Sequence, residues 1–115
     1  MSLAEFRRGI VLFDEGRFYD AHEVLEDVWR GAQGEKKRFL QGLIQAAVAL
    51  HHHSTGNTRG ASSLLERSLK NLCADPGEFG EIPWQELKLA LSRCREALSE
   101  GRQLPPLPRL QIMQD

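Results

Sequence analysis

Residues 39–50 read FLQGLIQAAVAL. At ~100° per residue, Phe39, Leu40, Leu43, Ile44, Ala47, Val48 and Leu50 cover more than half the circumference of a helix. A helix apolar over so wide an arc cannot rest one face in water. It belongs at the centre of a bundle, contacted from several sides. Gln41 and Gln45 interrupt the run, which is too short to span a bilayer. The pattern predicts a helix over about residues 35–53. His51 projects within the apolar arc, Gln41, Gln45 and His52 share a row at its margin, and His53 lies on another side.

Four more helices are predicted around this one. Ser2 followed by Glu5 matches a capping box, and Leu3, Phe6, Ile10 and Phe13 form the stripe of a helix over about 3–15. Gly16 suits a left-handed residue past its end. A second helix covers about 18–31, with Ala21, Val24, Leu25 and Val28 inward, and Gly31 and Gly34 stop it. Asn57 or Thr58 caps a helix over about 58–73, with Ala61, Leu64, Leu65, Leu69 and Leu72 inward. Asp75-Pro76-Gly77 is a turn, and Glu78 to Glu81 reads as irregular loop. Pro83 suits the first turn of a last helix, about 84–100, with Trp84, Leu87, Leu91, Cys94 and Leu98 as its stripe. The expected fold is therefore an all-α, single-domain bundle of about five helices over residues 1–101. A Pro-rich extended tail follows over 102–115. Its leucines at 104, 107 and 110 fit packing along the bundle better than service as a ligand for another domain.

The chain holds 115 residues, enough for one domain with its own core. Fifteen basic residues nearly cancel sixteen acidic ones. That balance argues against a nucleic-acid partner or an anionic membrane surface, and Lys36-Lys37-Arg38 reads as a solvated helix start. Cys73 and Cys94 have no metal-ligand spacing and read as reduced thiols of a cytoplasmic protein. The N-terminus lacks the pattern of a signal peptide. A bundle this small is also a candidate homodimer, and no small-molecule ligand can be named.

The chemistry-bearing stretch is FYDAHEVLEDVW at 18–29. His22 and Glu26, four residues apart, share a helix face, and Trp29 lies one turn further along it. His22 and Trp29 lie at one edge of the apolar stripe and Glu26 slightly further round, and the row is expected to face the central helix. Gly56, Asn57 and Gly60 lack the lysine of a phosphate-binding loop, and no serine sits in a nucleophile elbow. Asp20, Glu23, Glu26 and Asp27 form an acidic patch that reads as a solvated face. Phe18, Tyr19, Trp29 and Phe39 read as core and cap rather than as an aromatic box.

Three blocks, GRFYDAHEVLEDVWR at 16–30, FLQGLIQAAVALHH at 39–52 and GNTRGASSLL at 56–65, resemble the domain of unknown function 309 family of bacterial and archaeal proteins. That family is marked by a His, a Glu four residues on and an aromatic three residues later, matched by His22, Glu26 and Trp29. The resemblance implies a compact all-helical domain and a metal-binding role for the motif. It brings no substrate.

The residues permit two readings. In one, His22 and Glu26 bind a divalent metal ion, since imidazole and carboxylate both ligate zinc, iron or manganese. His51 would be the third ligand, ahead of His52, with Gln41 and Gln45 in outer contact. Glu23 or Glu26 would serve as base toward metal-bound water in a metal-dependent hydrolase. In the other, favoured here, the row is a buried polar structural or ligand-contacting site. His22 bonds Glu26 or a backbone carbonyl, Trp29 packs over them, and Gln41, Gln45 and His51 complete the pairing. Tyr19 could reach this row from the helix start.

Overall fold

The computed structural model describes residues 3–111. Its helices are α1 (Leu3–Asp14), α2 (Phe18–Arg30), α3 (Gly34–Ser54), α4 (Thr58–Asn71) and α5 (Trp84–Ser99). Among the described residues there is no strand, and the chain is an all-α single domain. The helices begin and end within two residues of the periodicity reading. The capping role expected of Ser2 lies outside the described residues. Two local expectations are corrected. The segment read as irregular is wound into a 3-10 turn, Gly77–Glu81. It closes because Phe79 is buried there, its ring centroid 4.7 Å from that of Phe6. Pro83 occupies the N-cap of α5 rather than its first turn.

The helix α3 is central, packed between α2 and α4. Phe39, Leu40, Leu43, Ala46, Ala47 and Ala49 are fully buried along it. Small residues let α4 come close. Ser68 is fully buried, and its hydroxyl donates to the Gly42 carbonyl at 2.7 Å. Leu64 and Leu69, expected inward, are only partly covered, and the inward place between them belongs to Ser68. A buried hydroxyl is tolerated there because its hydrogen bond is made.

Helix ends follow the glycines. After α1 the Gly16 N–H bonds the Phe13 carbonyl and the Arg17 N–H bonds the Leu12 carbonyl. After α3 the Gly56 N–H bonds His53 and the Asn57 N–H bonds His52 in the same way. This paired closure needs a left-handed residue, and the two glycines have φ of 78° and 87°. Asn57 then caps α4, its side chain accepting from the Gly60 N–H at 3.0 Å. Three residues therefore separate α3 from α4, and the two must run antiparallel.

The Lys36-Lys37-Arg38 run is engaged rather than freely solvated. Lys36 reaches Glu78, Lys37 lies over the Trp29 ring, and Arg38 donates to Asn71 and to the Lys70 carbonyl. Cys73 and Cys94 are free thiols. Burial pushes the Cys94 thiol up, which keeps it unreactive near neutral pH.

Residues 102–110 form neither helix nor strand. Leu104 and Leu107 pack against the core and Leu110 is fully buried. The Asp14 carboxylate accepts the Leu110 and Gln111 N–H groups at 2.8 and 2.9 Å.

The 3-10 turn is tied to α1 by a forked ion pair. Arg7 Nε and one terminal nitrogen each meet a Glu81 oxygen at 2.8 Å. Hydrogen bonding from Arg7 holds the Glu81 carboxyl below its usual range, its charge adds to this, and partial burial opposes it. A carboxyl depressed in the folded state stabilises the fold above the unfolded-state value, about 4.3. That stabilisation is lost as pH falls through the folded value. Urea unfolding at stepped pH should show Arg7→Met losing less stability than wild type between pH ~5 and ~3. Parallel curves would contradict the pairing.

Candidate functional site

The motif residues stand where α2 passes the C-terminal half of α3. His22 is an edge residue, with 18% of its side chain exposed. Its Nδ1 lies 2.8 Å from the Tyr19 carbonyl oxygen. A carbonyl can only accept, so Nδ1 carries the proton and donates. Nε2 is thereby turned toward Glu26, 3.4 Å from Oε2. With Nδ1 already protonated, that contact is attractive only when Nε2 is protonated too. The other Glu26 oxygen takes the Arg30 guanidinium at 3.1 Å. Arg30 also pairs with Asp27. Glu26 thus lies between an imidazole and the guanidinium that bonds it, each one helical turn away. At 39% side-chain exposure it is a shared surface acceptor rather than a buried charge.

Tyr19 links the two helices. Its ring centroid is 5.1 Å from that of His22 and 5.3 Å from that of His51. His52 follows His51, ring to ring at 6.3 Å, and meets the Asn57 amide at 3.5 Å. The backbone carbonyls of His51 and His52 accept the Ser54 and Thr55 hydroxyls, which fixes the turn that carries both imidazoles. The chain has four histidines. Two of them, one from each helix, flank one half-exposed phenol, and a third, His52, adjoins His51.

Several expected members are elsewhere. Gln45 accepts from the Asn71 amide on α4 at 2.8 Å, and Gln41 is exposed. Neither completes a network with His22. Gln45 faces α4, because successive residues on a helix point ~100° apart. Trp29 does not stack on the imidazole. Its ring lies under Lys37 Nζ, 4.3 Å from the centroid, and its buried Nε1 has no hydrogen-bond partner. Glu23 is exposed, Asp20 pairs with Arg17, and Asp27 with Arg30. Arg30 and Asn71 went unnoticed as partners. The i,i+4 spacing of Glu26 and Arg30 was the signal for the first. Nothing in the sequence marked the second, which depends on how α4 lies along α3.

A profile described as "Domain of unknown function (DUF309)" matches residues 6–64. The chain belongs to the DUF309 family. Two relatives agree. An uncharacterized protein of Aquifex aeolicus is 35% identical over 80 residues, 69% of this chain and 24% of its own length. The uncharacterized protein YpuF of Bacillus subtilis is 42% identical over 59 residues, 50% of this chain and 34% of its own. The chain thus spans between about a quarter and about a third of these curated relatives. The DUF309 match takes in α1 from Phe6, all of α2 and α3 and half of α4, so it contains every residue of the seam.

The metal set expected for a DUF309 motif does not come together. His22 and Glu26 offer two donors, while His51 is engaged with the Tyr19 ring. Among the described residues, no three His, Cys, Asp or Glu side chains are grouped to hold an ion. Two donors fall short of the three protein ligands that a catalytic zinc uses.

Proposed function

We propose that the domain is a non-enzymatic helical module. Its His22–Tyr19–His51 seam fixes α2 against α3 and leaves Tyr19, Glu26 and His52 for a ligand to meet. One observation carries this reading. The single imidazole of His22 is committed to the Tyr19 carbonyl, and the Tyr19 ring is in turn shared with His51 on the next helix. Such an arrangement uses the Nδ1 proton of His22 and the Tyr19 ring to register two helices. Cytoplasmic residence belongs to the same reading, supported by two free thiols. No described helix is long and apolar enough to cross a membrane. Near-balanced charge supports a partner other than nucleic acid.

Thermal unfolding of wild type, His22→Ala and Glu26→Ala, each with and without a chelator and with elemental analysis, tests the proposal. His22→Ala should cost about 1–2 kcal/mol, from a lost hydrogen bond and a half-buried ring. Glu26→Ala should cost under about 1 kcal/mol, as an exposed pair does. The chelator should change neither curve. One metal ion per chain, lost from both variants while they remain folded, would overturn the proposal in favour of a metal protein.

A further inference from the structure

Helix α4 presents to solvent a row of cations that the fold does not use. At ~100° per residue, Arg59, Ser63, Arg67 and Lys70 fall within about 80° of one another around the helix. All four are exposed, opposite the side on which α4 buries Ala61, Leu65 and Ser68. The row runs about 16 Å along the helix axis. Among the described residues, Arg59, Arg67 and Lys70 take part in no ion pair. Arg38 of α3 adds a fourth cation at the far end. It donates to the Asn71 side chain and the Lys70 carbonyl, neither of which carries a charge. One carboxylate borders the row. It is Glu66, which leans toward α5 and lines a cleft with Ser92 and Arg95.

Helix stability does not account for the row. A cation suits the C-terminal end of a helix, so the dipole explains Lys70 and Arg38. Arg59 stands in the first turn of α4, at the positive end of the dipole, and no acidic residue offsets it there. Arg67 and Lys70, one helical turn apart, repel each other. General basicity does not account for it either, since the chain's net charge is −1. The excess is local, and α3 separates it from the acidic face of α2. On that face Asp20 pairs with Arg17, and Glu26 and Asp27 pair with Arg30. Glu23 alone of the four lacks a cation, so a second copy offers no matching row of free carboxylates.

We propose that the outer face of α4 is a docking surface for an acidic helix of another polypeptide, whose carboxylates meet Arg59, Arg67, Lys70 and Arg38. A partner helix with glutamates three and four residues apart repeats the spacing of the row. Guanidinium groups take carboxylates in a forked geometry, as Arg7 takes Glu81 within this chain. Nucleic acid fits less well. The row carries no aromatic ring on which a base could stack, and the near-neutral chain exerts no long-range pull on a polyanion. An anionic membrane fits less well too, because the row has no apolar side chain to enter it. This surface is separate from the Tyr19 seam, which lies where α2 meets α3.

The probe is a fluorescent, alanine-rich helical peptide of about 16 residues with glutamate at the spacing of the row. A twin carries glutamine in place of each glutamate. Anisotropy titrations on the full chain should give the glutamate peptide a Kd below about 1 mM at low salt, and the twin a Kd at least about tenfold higher. Arg67→Gln should weaken binding about threefold, and the triple variant Arg59→Gln, Arg67→Gln, Lys70→Gln at least about tenfold. Arg8→Gln, which removes an exposed cation from α1, should leave binding unchanged. If circular dichroism shows the triple variant unfolded, Arg59→Gln with Arg67→Gln replaces it. Equal binding of the two peptides, or equal losses for Arg8→Gln and the triple variant, overturns the α4 surface. A short RNA duplex and phosphatidylserine vesicles are titrated alongside. Tighter binding of either, lost in the triple variant, overturns the acidic helix and assigns the row to phosphate groups. Salt-sensitive dimers of the chain alone, abolished in the triple variant, overturn it in favour of a second copy.

Discussion

Phe39→Ala is expected to lower the unfolding free energy by about 3–5 kcal/mol, the range for deleting a fully buried aromatic ring. Phe39 is wholly buried in the first turns of α3. Its ring meets Trp84 edge-on, centroids 6.2 Å apart, and so joins α3 to the start of α5. The loss combines three parts: the transfer of the ring to water, the cavity it leaves, and the aromatic contact, itself worth about 0.5–1.5 kcal/mol. Collapse into that cavity is limited because Leu40, Leu43 and Leu87 around the same core are also fully buried. For a domain of this size the melting temperature should fall by roughly 10 °C or more. Urea titration followed by circular dichroism reads the effect. The exposed neighbour gives the contrast, since Arg38→Ala should stay within about 1 kcal/mol. A Phe39→Ala loss below about 1 kcal/mol would mean that α3 is not the centre of the core.

Gly42→Val is the second large effect, and its sign depends on how closely α4 approaches. A Cβ on residue 42 would stand 2.9 Å from Leu72 Cγ and 3.0 Å from the Leu72 backbone nitrogen. Side-chain atoms could yield, but a backbone nitrogen moves only if the end of α4 moves. Replacing glycine by alanine within a helix otherwise gains about 1 kcal/mol. Overpacking a tight core costs about 1–3 kcal/mol, occasionally more. Alanine should therefore be net destabilising by a small margin. Valine adds two methyl groups, and its cost should reach the upper end of that range. The displaced α4 also strains the Ser68 bond to the Gly42 carbonyl. Gly31→Ala is the control: the nearest atom its Cβ would meet is the Val28 carbonyl oxygen at 3.9 Å. It should be close to neutral in the same urea titration, and equal losses at the two glycines would refute the close-approach explanation.

The helices were legible because each carries its own signal. The wide apolar arc of 39–50 marks the central element, and Gly16, Gly56 and Asn57 mark where α1 and α3 end and α4 begins. These cues act over four residues or fewer, so a linear reading catches them. Phe79 shows the limit: its segment has no periodicity, and only the ring of Phe6 reveals that it must close. At the candidate site, the i,i+4 relation of His22 and Glu26 and the inward edge of α2 were readable. The partner of His22 across the helices was not. His51 could be placed on the apolar arc of α3, yet whether it met His22, Glu26 or Tyr19 depended on the rotation of α2 by less than one residue. Gln45 faces Asn71 for a similar reason, since rows on a wide helix divide between two neighbours. Asp14 is the hardest case, because a carboxylate at the wrong end of a helix makes sense only beside residues almost a hundred positions later.

Tyr19 is the chain's one tyrosine, and about half of its surface is open to solvent. Any phenol-specific signal therefore comes from the place where α2, α3 and the rings of His22 and His51 meet. Nitration of the native protein would place a nitrophenol at that spot alone, and the colour of the nitrated ring would follow the charge of its neighbours. The molecule thus carries its own site for a spectroscopic reporter, and occupancy of this corner can be followed without a substitution.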